Sequence, residues 1–145
     1  MTAPLAREIA AVRRFNRFYT REVGALRKTF LDTPFSLGEA RVLLEIRQRP
    51  GVTARDIGAA LDLDAAYLSR LLAKFEKDKL ITRSASAADA RQYELQLTSA
   101  GAGAVGVTDA RQAARTQATL QRLSPAQRKQ LVEAMATIET LLSPP

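Results

Sequence analysis

TARDIGAALDLDAAYLSRLLAKFEKDKLITRSASAADARQYELQL, residues 53 to 97, divides into two short helical runs and two strand-like runs around a polar tip. Thr53 marks the start: a hydroxyl that can cap a helix, with the acid Asp56 three residues on, near the positive end of the helix dipole. Ile57, Ala60 and Leu61 form the apolar side of this first helix. The chain must then turn at Leu61-Asp62-Leu63, where aspartate tolerates the required backbone better than most non-glycine residues. Asp64 can cap a second helix whose Leu68, Leu71, Leu72 and Phe75 fall at helical spacing. Ala65, Ala66, Tyr67, Ser69, Arg70 and Lys74 are left largely on its other faces. Next, Leu80-Ile81-Thr82-Arg83 and Tyr93-Glu94-Leu95-Gln96-Leu97 alternate as short strands do, joined by a polar tip from Ser84 to Arg91.

On the N-terminal side, apolar residues recur at Leu5, Ile9, Val12, Phe15, Tyr19, Val23, Leu26 and Phe30, which predicts one long amphipathic helix. Arg7, Arg13, Arg14, Arg17, Arg21, Arg27 and Lys28 interleave with that stripe as a solvated outer face. With Phe15, Phe18 and Tyr19, the helix has more apolar surface than a small domain covers, so part of it is expected to meet a partner chain. Asp32-Thr33-Pro34-Phe35 breaks it. Ser36-Leu37-Gly38-Glu39 then starts a helix with a capping box that runs to about Arg49, with Leu43, Leu44 and Ile46 as core residues and Pro50-Gly51 as its stop. Glu39 and Arg41 are expected to pair with neighbouring charges.

On the C-terminal side, Thr98 can cap a helix carrying Gly101, Gly103 and Gly106. Glycine costs ~1 kcal/mol against alanine in a helix, so this segment needs packing to form. Ser124-Pro125-Ala126-Gln127 opens the last helix, cap then proline, and Leu131, Met135, Ile138 and Leu142 make its stripe.

The 145 residues fit a single domain with a sizeable core. Lys plus Arg outnumber Asp plus Glu by 22 to 15, for a net charge of +7 and a pI near 10.4, a balance that favours a polyanionic partner. There is no cysteine and no histidine, which excludes disulfides, thiol redox sensing, thiolate or imidazole metal sites and Ser-His or Cys-His catalysis. No metal and no cofactor are expected. The N-terminus lacks signal-peptide character and no stretch approaches the ~18 apolar residues of a membrane span, so the expected location is the cytoplasm, with no membrane partner.

Four blocks carry a resemblance: Leu63-Asp64-Ala65-Ala66-Tyr67-Leu68-Ser69-Arg70-Leu71-Leu72; Phe75-Glu76-Lys77-Asp78-Lys79-Leu80-Ile81; Asp89-x-Arg91; and Leu95-x-Leu97-Thr98-x-x-Gly101. The chain resembles the MarR family of bacterial transcription regulators over nearly its full length. The resemblance implies a mainly α fold with a small β-hairpin wing: one MarR-like domain over residues 1–145, with a winged helix-turn-helix at 36–97 and dimerisation helices at 5–31 and 98–142. It further implies a homodimer on a pseudo-palindromic double-stranded operator. Such a protein is a regulator and not an enzyme, most simply a repressor released by a small aromatic or phenolic effector. The DNA-facing residues would be Thr53, Arg55, Ala65, Ala66, Tyr67, Ser69, Arg70, Lys74, Arg83, Asp89 and Arg91. Among them Arg70 suits a guanine edge, because its planar fork donates two parallel hydrogen bonds, whereas Lys74 and Arg83 suit phosphates. Asp89 can aim Arg91 into a minor groove. The effector would meet Phe15, Phe18, Tyr19, Phe35 and Arg41, each of which has core packing or a surface pair as its plainer role. Relatives that sense peroxide through cysteine or zinc through histidine are not matched.

Two other readings compete. Arg14-Phe15-Asn16-Arg17-Phe18-Tyr19-Thr20 with Ser36-Leu37-Gly38-Glu39-Ala40-Arg41-Val42-Leu43 looks like the MarR-type halves of fusions to GNAT acetyltransferases; an acetyl-CoA pyrophosphate loop and its sheet are lacking here, and the reading frame past Pro145 discriminates. The other is a winged helix that binds only protein, which predicts no salt-dependent affinity for DNA.

Overall fold

The computed structural model describes residues 2 to 145. Its elements are α1 (Ala3–Val23), α2 (Leu37–Gln48), α3 (Ala54–Leu61), α4 (Ala65–Lys77), β1 (Ile81–Ala85), β2 (Tyr93–Leu97), α5 (Ser99–Gln121) and α6 (Pro125–Leu142). The chain separates into two compact units, one through Thr108 and one from Asp109 to Pro145.

In the first unit, the capping chemistry legible in the chain is present. Ser36 and Glu39 form a reciprocal box at the head of α2, with N–H···O distances of 3.1 and 3.0 Å. Thr53 and Asp56 do the same for α3 at 3.2 and 3.0 Å. Asp62 ends α3 in the left-handed region at φ 51°, and Asp64 caps α4 by accepting from the Tyr67 amide at 2.9 Å. Each device satisfies backbone groups that a helix end leaves without partners.

The core gathers Phe35, Val42, Leu43, Ile46, Val52, Ile57, Leu68, Leu71, Leu72, Phe75, Ile81, Leu95 and Val105. Leu44, expected inside, is only half-buried, whereas its neighbour Val42 is fully buried, and Ala60 on α3 is exposed. The strands pair antiparallel from Ile81 with Leu97 to Ala85 with Tyr93. β1 thus reaches beyond the expected Arg83. The hairpin's other edge is also held, because the Leu95 amide donates to the Val52 carbonyl at 2.8 Å and Thr53 bridges Glu94. The wing is thereby tied to the entrance of α3.

The helix read from Leu5 to Phe30, and the 5–31 bound drawn from it, require correction: α1 ends at Val23. Gly24 adopts φ 73° as a left-handed cap, and the Ala25 amide reaches back to the Thr20 carbonyl at 3.1 Å, closing the helix as a Schellman motif does. Leu26 and Phe30 continue the apolar spacing only by coincidence. Leu26 is 87% exposed, and Phe30 is buried in a turn where its amide donates to the Phe35 carbonyl and its carbonyl accepts from the Thr33 hydroxyl.

α5 begins as expected at Thr98, whose hydroxyl accepts from the Gly101 amide at 3.1 Å. The same hydroxyl donates to the Lys79 carbonyl, and the Thr98 amide donates to the Leu80 carbonyl. A Cβ at Gly101 would stand 2.0 Å from the Leu80 carbonyl oxygen, whereas Gly103 and Gly106 have nothing within 4 Å. Gly101 is therefore what lets α5 lie against the start of β1.

In the second unit, Ser124 and Gln127 form a capping box with Pro125 at the head of α6. The Arg128 guanidinium donates to the Leu123 carbonyl at 3.1 Å, satisfying an orphan acceptor where the preceding helix has ended.

Candidate nucleic-acid interface

Burial of Leu68, Leu71, Leu72 and Phe75 turns the remaining faces of α4 outward, and Ala65, Ala66, Ser69, Arg70 and Lys74 are all exposed. Ala66, Arg70 and Lys74 follow one another at a spacing of four and make one ridge. Methyl groups at its head keep the relief low, so another surface can come close to the helix. Arg70 has no ion pair or hydrogen bond to any described residue. Tyr67 is 38% exposed, and its hydroxyl lies over α2, where a Cβ on Gly38 would be 3.4 Å away. It packs on one side and is open on the other.

Outside the wing tip, three of the expected DNA-facing residues already have work within the protein. The Thr53 hydroxyl is the cap of α3, where the Thr53 amide and hydroxyl hold the Asp56 carboxyl below its usual pKa. Lys74 Nζ lies 2.9 Å from Glu39 Oε2, and Arg83 Nε lies 2.7 Å from Glu76 Oε2. The two cations expected to anchor phosphates are thus each neutralised, while Arg70 is not. Arg55 is exposed at the head of α3.

At the wing, Ser86, Asp89 and Gln92 build the tip. Asp89 Oδ1 accepts from the Arg91 amide at 3.0 Å and from Arg91 Nε at 3.3 Å, an Asx turn whose acid also points the guanidinium. The Arg91 side chain is 89% exposed. Asp89 and Arg91 are therefore brought together by the turn at the tip.

The five residues considered for an effector do not form one group. Phe15 and Tyr19 stack at 5.6 Å with planes 9° apart, and both are exposed, as are Phe18 and Arg41. Phe35 is instead a core ring, set edge-on to Phe75 at 6.2 Å, so it is not available to a ligand. A separate cleft of about 600 Å³ lies at the end of α1 among Asn16, Arg17, Thr20, Arg21, Gly24, Leu26 and Arg27. Among the described residues no group of His, Cys, Asp or Glu is arranged to hold a metal ion, and no helix is long and apolar enough to cross a membrane.

Sequence reasoning expected Glu39 to pair with a charge but did not identify Lys74 as its partner, and it missed Glu76 as the partner of Arg83. The sequence offers no signal for the first pair, whose members are 35 residues apart.

Comparison with known proteins follows the same lines. The pattern that describes the MarR family matches residues 32–92. A putative transcriptional regulatory protein for the hcr operon of Thauera aromatica is 30% identical over 125 residues, covering 86% of this chain and 69% of that protein. Among solved structures, Bordetella bronchiseptica BpsR, described as regulated in DNA binding by 6-hydroxynicotinic acid, superposes with a TM-score of 0.71 at 24% identity, over 90% of this chain and 98% of its own. The S. aureus MepR-DNA complex gives 0.70 at 21% identity, over 92% and 97%. At these identities the structures establish the fold, mostly helical with a two-stranded wing.

Proposed function

Since the chain belongs to the MarR family of DNA-binding transcription regulators, and not to a family of enzymes, we propose that it is a homodimeric, sequence-specific repressor released by a small aromatic or phenolic ligand. α4 enters the major groove of a pseudo-palindromic operator and Arg91 reaches the adjacent minor groove. The observation that carries this reading is the low, open ridge of α4 with Arg70 unpaired upon it. A guanidinium free of internal partners can give both donors of its fork to the O6 and N7 of a guanine. Selection of bound duplexes from a random library should yield a two-fold symmetric site containing G·C at the position Arg70 meets. Arg70→Ala should erase that preference, a loss of about 1–3 kcal/mol of discrimination. Unchanged specificity and affinity in Arg70→Ala would place the reading face elsewhere.

Two helices support assembly. Leu5, Ile9, Val12, Phe15, Phe18 and Tyr19 on α1 are all exposed, as are Met135, Ile138 and Leu142 on α6. A second copy covers them, since stripes of this kind are unfavourable in water. Removing residues 1–20 should cause aggregation or loss of folding, because obligate dimers often lack a stable monomer. Sedimentation of the full chain as a folded monomer at micromolar concentration would contradict this. The stacked Phe15 and Tyr19 supply the rings for an aromatic ligand, which releases DNA only by favouring the conformation that does not bind it.

A further inference from the structure

Glu39 divides its carboxylate between two tasks. Oε1 accepts from the Ser36 amide at 3.0 Å and closes the cap of α2, while Oε2 accepts from Lys74 Nζ at 2.9 Å on α4. The acid's side chain is 13% exposed and the lysine's 56%, so the carboxylate is fixed in the protein and the ammonium lies at the rim. Partial burial pushes the Glu39 carboxyl up, but the Ser36 amide and Lys74 outweigh it and hold the pKa below its ordinary value. The hydrogen bond that Lys74 donates to Glu39 in turn raises the pKa of the lysine. Both groups are charged at neutral pH.

The consequence concerns DNA. Lys74 stands one turn beyond Arg70 on the open ridge, where a cation would ordinarily take a phosphate. Were Nζ to move to a phosphate, the Glu39 carboxylate would remain, tied by the Ser36 amide, without its cation and close to a second anion. The Arg83–Glu76 pair differs, because there the acid is the more open partner at 52% against 32%.

We propose that Glu39 is a restraining residue for DNA binding: by holding Lys74 it withholds one phosphate contact from every duplex, whatever its sequence. This rests on the reading of α4 as the DNA-contacting helix. Phosphate contacts carry affinity without sequence information, so the restraint lowers occupancy of all DNA and leaves discrimination to Arg70 and the wing.

The test uses Glu39→Gln, which removes the charge and keeps the cap, since a glutamine oxygen at this position also accepts from the capping residue's amide. Parent, E39Q, K74Q and the double variant are titrated against a mixed-sequence duplex by fluorescence anisotropy over a salt series. E39Q is expected to bind roughly threefold to tenfold tighter at low salt, with a log–log salt slope steeper by about one. K74Q should undo that gain in the E39Q background and leave the salt slope of the parent unchanged, since in the parent Lys74 is held by Glu39 and displaces no counterion. E39Q binding no tighter than a parent that does bind overturns the inference alone. So does a salt slope shallower by about one on K74Q in the parent, for Lys74 would then already contact phosphate; this arm stands even where E39Q fails to fold. A parent that does not bind duplex at low salt overturns the DNA reading of α4 and the restraint with it.

Discussion

One added methyl group at Gly101 is expected to destabilise the protein by about 3 kcal/mol or more, at the upper end of what overpacking costs. The Cβ would stand 2.0 Å from the Leu80 carbonyl oxygen and 3.2 Å from a methyl of Leu97. That carbonyl cannot swing aside freely, because it accepts from the Thr98 amide at 3.0 Å and begins the turn into β1. Relief therefore requires α5 to move off the hairpin. Gly103 and Gly106 lie on the same helix with nothing within 4 Å of an added Cβ. Alanine at either should stabilise by ~0.5–1 kcal/mol, the ordinary gain of alanine over glycine in a helix. Urea unfolding of the three variants separates the two effects, since helix propensity alone would move all three midpoints upward. Gly101→Ala as stable as the parent would mean that α5 does not approach the hairpin as described.

The second large effect is on binding, with the fold intact. Arg91→Ala should weaken operator binding at least tenfold, about 1.4 kcal/mol, and leave thermal stability nearly unchanged. The side chain is 89% exposed and its partner is Asp89 at 3.3 Å. An exposed ion pair of that kind contributes only ~0.2–1 kcal/mol to a fold. A guanidinium held in one direction loses less freedom on entering a narrow minor groove, whose negative potential is strongest over A·T-rich sequence. Asp89→Ala should cost less, because the charge remains. It should still cost something beyond lost aim, for Asp89 also accepts from the Arg91 amide at 3.0 Å and shapes the tip. A thermal melt beside an operator titration distinguishes the roles, and Arg91→Ala binding like the parent removes the wing contact.

Much of the fold was legible because helix ends are written locally. A hydroxyl or acid at the cap and its partner three residues on are enough to place the starts of α2, α3 and α6, and Asp62 marks the tight turn. The buried side of α4 follows from Leu68, Leu71, Leu72 and Phe75 alone. What escaped depends on distance along the chain or on coincidence. Leu26 and Phe30 keep the helical period after Gly24 has already ended α1, and no spacing rule separates a buried turn residue from a helical one. Phe35 shares its residue type with the exposed rings of α1, yet it is 8% exposed and packs on Phe75. Type alone does not tell a ligand's ring from a core ring. On the candidate interface, Arg70 and the Asp89–Arg91 pair were legible from exposure and spacing. The engagement of Lys74 by Glu39 was not, because it needs α2 and α4 side by side.

The claim that α4 and the wing read DNA is tested most directly by one titration: the parent against a duplex enriched from a random library, and against its scrambled counterpart, over a salt series. The Kd for the enriched duplex should be of the order of 10⁻⁷ M or tighter at moderate salt, at least ~10³-fold below that of the scrambled one. Both affinities should fall linearly on a log–log plot against salt as displaced counterions are counted. Equal affinity for the two duplexes, or binding indifferent to salt, would contradict it.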